Sequence, residues 1–162
     1  MRRISALLSV AAVVMWTVGA YAQAKPDFSG KWDREAPAGG GGGGGGRGGG
    51  GGFGMENTIT QNAKTLTIEY MGGGQTPAPI KLVFNLDGSA STNKVMGRGG
   101  EATDQVSKAT WDGAKISIVT TTPNGDVKRV ISMEGANMVI ESTVPGREGG
   151  APTTNKAVYK KA

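Results

Sequence analysis

The chain has 162 residues, a formal charge of +5 at neutral pH, 29 glycines, and neither cysteine nor histidine. The two missing residue types exclude disulfide staples, thiol nucleophiles, haem-attachment pairs, Cys or His zinc sites and every histidine acid-base relay. The basic residues are scattered and never reach a run of four, so the charge reads as solubility and no nucleic-acid partner is expected.

Residues 1–24 have the three-part layout of a secretory signal: Arg2 and Arg3, an apolar run over residues 4–18, then small residues. Ala20-Tyr21-Ala22 and Ala22-Gln23-Ala24 both offer the A-x-A pattern that a signal peptidase reads, so cleavage after Ala24 or Ala22 is expected. The apolar run is shorter than the roughly 18–20 residues of a spanning helix, and no transmembrane anchor is expected. Without a cysteine to acylate, a lipoprotein is excluded. The expectation is an exported protein, periplasmic or extracellular, whose residues 25–162 form one domain.

Residues 25–35 alternate loosely, with Phe28, Gly30 and Trp32 on one face and Ser29 and Lys31 on the other, which predicts a first strand. Residues 39–54 then hold fourteen glycines, broken only by Arg47 and Phe53. Such a segment has almost no side chain to bury and loses the most backbone entropy on ordering, so a disordered insertion is expected.

Short strands separated by turn residues follow. Ile59 precedes an Asn62-Ala63-Lys64 turn. Leu66, Ile68 and Tyr70 alternate with Thr65, Thr67 and Glu69, and Ile80, Leu82, Phe84 and Leu86 repeat the pattern up to Asp87-Gly88, where the chain should reverse. Residues 106–111 run to Asp112-Gly113, and Ile116 and Ile118 lead to a Thr122-Pro123-Asn124-Gly125 turn. Residues 127–133 and 138–144 flank a Glu134-Gly135-Ala136-Asn137 turn, and residues 153–160 supply a last strand. No stretch keeps a helical apolar period for ten residues. The fold class is all-β: one antiparallel meander barrel of about ten short strands, closed because open edges of so β-rich a chain invite aggregation.

Phe28-Ser29-Gly30-Lys31-Trp32 resembles the G-x-W opening strand of lipocalins. Together with the segment 108–113 and the closing Val158-Tyr159-Lys160-Lys161, the chain looks like a small exported bacterial lipocalin-like protein. The resemblance implies a barrel whose closed end is plugged by Trp32, with Gly30 and Trp32 as structural residues, and it implies ligand binding by analogy of fold. The glycine insertion and the missing disulfides depart from the lipocalin pattern.

Candidate chemistry is sparse. Asp87, Asp112 and Asp126 sit in turn signals, Glu69 and Glu141 fall on outward positions, and Ser and Thr lack a base. No catalytic residues, metal ligands or cofactor are expected, and the chain does not read as an enzyme. Arg129 is the one candidate ligand-binding residue: Val127, Ile131 and Met133 share its face if that register points inward, where a guanidinium could clamp a carboxylate. The opposite register puts Lys128, Val130 and Ser132 inside. Arg47 and Arg98 lie in RGG-like repeats, with Phe53 as a nearby ring, but export argues against RNA. The expected partner is a small apolar or amphiphilic ligand in the barrel; the rival reading is an envelope module that makes its contacts through the glycine segment.

Overall fold

Ten antiparallel strands form a single sheet in the computed structural model, which describes residues 24–36, 52–72, 77–96, 101–146 and 150–162. They are β1 (Gly30–Arg34), β2 (Glu56–Gln61), β3 (Thr65–Met71), β4 (Pro79–Asn85), β5 (Asp87–Met96), β6 (Ala102–Asp112), β7 (Lys115–Thr122), β8 (Gly125–Glu134), β9 (Asn137–Val144) and β10 (Thr153–Lys161). The order in the sheet is β4-β3-β2-β1-β10-β9-β8-β7-β6-β5, a meander in which β1 and β10 join the two ends of the chain. None of the described residues is helical. This is the all-β barrel that the alternation predicts.

Alternation fixes which side of each strand is inside, because a period of two sends successive side chains to opposite faces. In β3, Leu66 and Ile68 are fully buried while Glu69 is exposed, and they sit opposite Phe84 and Leu82 of β4. The tight turns fall where glycine supplies a left-handed backbone: Gly113 at φ 60° between β6 and β7, and Gly135 at φ 63° between β8 and β9.

The two outer strands of the sheet, β4 and β5, meet without a backbone ladder, and side chains close the seam. Val83 N donates to Asn93 Oδ1 at 2.7 Å, and Asn93 Nδ2 donates to Val83 O at 3.0 Å, so one amide side chain imitates a neighbouring strand. Asn85 N donates to Ser91 Oγ at 2.8 Å beside it.

One end of the barrel is shut by the segment just before β1. Trp32, 1% exposed, donates from Nε1 to Phe28 O at 2.8 Å, and the Phe28 ring stacks on Trp111 with centroids 6.2 Å apart. Gln61 holds the same segment from β2: it accepts from Phe28 N at 3.1 Å and donates to Pro26 O at 3.0 Å. Gly30 has φ 135°, a backbone region that only glycine enters without strain.

Three expectations need correction. The first strand does not start at Lys25: residues 24–29 make no ladder, and Phe28 reaches the core from an irregular segment pinned by Gln61. A ten-residue strand, β5, fills the gap after Asp87-Gly88, where sequence alternation gave no signal because its inward face carries Ser91 and Asn93. The last residues of the glycine run, 52–54, are not disordered: Phe53 is buried in the core cluster. Residues 1–23, 37–51 and 97–100 lie outside the described residues, and with them the signal segment, Arg47 and Arg98.

Candidate functional site

Strand register decides where Arg129 points. Arg129 stands opposite Ile118 of β7 and Ser142 of β9, both buried, and two residues from buried Val127 and Ile131. Lys128, on the alternate face, is exposed. The inward register is the one adopted, and the guanidinium projects into the barrel.

One of its nitrogens is left without a partner. The guanidinium carbon lies 5.3 Å over the Phe53 ring, a cation–π contact, and Nε is shielded from solvent without a hydrogen-bond partner. Burial lowers the Arg129 pKa, while the Tyr70 and Tyr159 phenols pull the other way. Among the described residues no carboxylate makes an ion pair with it. An arginine stays protonated in proteins, so the barrel holds a positive charge beside the Phe53 ring and the Tyr70 and Tyr159 phenols.

Asn57 is the second unsatisfied group. Period two places it on the same face as Ile59, in a row with Trp32 of β1 and Tyr70 of β3. It is 2% exposed, and neither its Nδ2 nor its Oδ1 has a partner among the described residues. A buried amide left unpaired costs about 1–3 kcal/mol, so a folded chain that keeps one does so against its own stability. Beside it, burial raises the Tyr70 pKa, and the Tyr159 hydroxyl donates to Gly54 O at 2.9 Å.

Further polar side chains line the same interior. Ser107 and Thr120 share a hydrogen bond at 2.9 Å, and Ser142 is buried beside Arg129. These belong to the half of the barrel nearer the 123–124 turn, whereas Trp32, Phe28, Leu66 and Met138 fill the other half. The interior thus carries Ser107, Thr120, Ser142 and Arg129 among apolar neighbours such as Ile118 and Ile131.

Sequence reasoning singled out Arg129 but left its direction open, passed over Asn57, and noticed Phe53 only as a ring beside the RGG-like repeats. Spacing from Ile59 could have found Asn57. Phe53 had no such signal, because the glycines around it carry no alternation.

The remaining polar groups are solvated. Glu69 pairs with Lys81 at 2.9 Å, Glu134 with Lys156 at 2.9 Å, and Asp104 with Lys94 at 2.9 Å, all on exposed side chains. A groove of about 790 Å³ lies outside the β1–β4 quarter, where Lys31, Thr58, Glu69 and Lys81 form a cross-strand row. Its lining sets Asp33, Glu56 and Glu69 against Lys31 and Lys81, and it touches Asn57 and Tyr70 but not Arg129. Among the described residues no three acidic side chains gather to hold a metal ion. No helix among them is long and apolar enough to cross a membrane.

No protein-family model matches the chain, and no curated protein does. Solved structures do resemble it. One is the zebrafish ileal bile acid-binding protein complexed with cholic acid, 18% identical over 66% of this chain and 72% of that one, with a TM-score of 0.47. Another is a point mutant of the fluorescent protein UnaG, 17% identical over 66% of this chain and 70% of that one, with a TM-score of 0.49. The ligand question is therefore argued from this chain's own interior.

Proposed function

We propose that the chain is an exported, non-enzymatic binding protein whose lipocalin-like barrel takes a small amphiphilic carboxylate. The observation that carries this reading is Arg129: a cation inside the barrel, shielded at Nε, with no carboxylate among the described residues to neutralise it. Natural chains seldom keep a buried charge unpaired, because desolvation is expensive and pairing is what recovers it. A ligand carboxylate would supply two charge-assisted hydrogen bonds to the planar guanidinium, and the apolar body would lie against the core. Asn57 would offer one donor and one acceptor to a further polar group on the ligand. Absence of histidine and cysteine, and the exposure of the acidic residues named above, support binding over catalysis.

Titrating fatty and aromatic acids into the full chain, followed by Trp32 and Trp111 fluorescence, tests the reading. Saturable binding is expected, weakened on the order of 10- to 100-fold by Arg129→Ala, the range for a hydrogen bond to a charged group. Equal affinities for the two proteins would end it.

A further inference from the structure

Phe53 enters the barrel from outside the ladder. It precedes β2, yet its ring is 6% exposed and lies 6.2 Å from the Tyr70 ring of β3 and 6.2 Å from the Phe84 ring of β4, tilted 49° and 48° to them. The Arg129 guanidinium of β8 covers it at 5.3 Å. The ring therefore sits in a slot with two aromatic walls and a cationic lid.

The backbone on either side is built for close approach. A Cβ on Gly52 would collide with the Tyr159 hydroxyl, and one on Gly54 would come within 2.9 Å of Tyr70 Cδ2. Gly54 O in turn accepts the hydrogen bond from Tyr159. A Gly-Phe-Gly sequence is what lets the chain pass between two tyrosines and place one ring in the slot.

What Phe53 provides there is incomplete. It gives the guanidinium a π face, but no anion, and Arg129 Nε stays without a partner. A molecule carrying both a flat ring and a carboxylate would supply the π face and the negative charge together. A saturated chain would supply only the charge. We propose that this slot is a site for an aromatic carboxylate, and that Phe53 is a tethered competitor that vacates the slot when such a molecule binds. The proposal rests on the carboxylate reading above and adds to it the ligand's class and the residue it must displace. Removing a competitor raises apparent affinity by the reciprocal of the fraction of time the slot stood open.

The experiment is calorimetric titration of the full chain with 2-naphthoate and with decanoate, for wild type, Phe53→Ala and Phe53→Leu, each variant first checked by circular dichroism and thermal melting. Naphthoate is expected to bind wild type more tightly than decanoate, and Phe53→Ala to tighten naphthoate on the order of tenfold or more. If the alanine variant fails to fold, Phe53→Leu decides: it keeps apolar bulk but no ring over the cation, and tighter naphthoate binding supports the competitor. A folded variant with unchanged or weaker naphthoate affinity makes Phe53 an ordinary wall residue and overturns the proposal. Decanoate binding as tightly as naphthoate overturns the ligand class while the carboxylate reading stands. No binding of either acid to any of the three proteins overturns both.

Discussion

At the end closed by residues 24–29, the buried polar groups are paired: Trp32 Nε1 with Phe28 O, and Gln61 with both Pro26 and Phe28. At the level of Asn57 and Arg129, three shielded atoms have no partner among the described residues. Both regions are built by the same strands with the same alternation, so fold alone does not account for the difference. Paired polarity secures the segment before β1, whereas the unpaired groups at Asn57 and Arg129 cost stability.

Trp32 and Asn57 are cross-strand partners, yet one is paired and the other is not, so substitutions at the two should change stability with opposite signs. Trp32→Ala removes the largest fully buried side chain and its hydrogen bond, and is expected to lower the unfolding free energy by about 3–5 kcal/mol in a urea titration. Asn57→Leu replaces an unpaired amide with an apolar group of similar size, and is expected to raise it by about 1–2 kcal/mol in the same assay. A loss on Asn57→Leu would mean that the amide is already satisfied and that the contrast between paired and unpaired groups is false.

The smallest effect is a pH slope. Burial holds the Tyr70 phenol above its ordinary value of 10.0, with Arg129 pulling it down and Tyr159 pushing it up. The unfolded chain then ionises first, so stability falls as pH rises from about 10 through the higher folded value. Tyr70→Phe should flatten that part of the curve in denaturation series between neutral and alkaline pH. An unchanged slope would place the cause in other groups.

The strands that bury apolar rows were legible in the sequence, because Leu66, Ile68, Leu82 and Phe84 announce their face by spacing alone. Strand β5 was not, since an inward Asn93 and Ser91 look like surface residues until the seam they close is seen. Arg129 was ambiguous for a related reason: Val130 sits on the alternate face from Val127 and Ile131, so both faces of β8 carry valine and neither is plainly polar. Phe53 was hidden by composition, because a single ring among glycines has no partner spacing and its contacts come from β3, β4 and β8. What periodicity reports is burial against neighbours on the same strand; it is silent where a side chain finds its neighbours across the barrel.

The seam between β4 and β5 has a consequence for how copies of this protein behave at high concentration. Unsatisfied strand margins recruit strands from other molecules, and a meander ending in two such margins would polymerise unless they are occupied. Asn93 and Ser91 occupy them from within, capping the N–H and C=O of Val83 and the N–H of Asn85. Two small polar side chains thus remove from the β4 margin three of the backbone groups that a second copy would need to pair with.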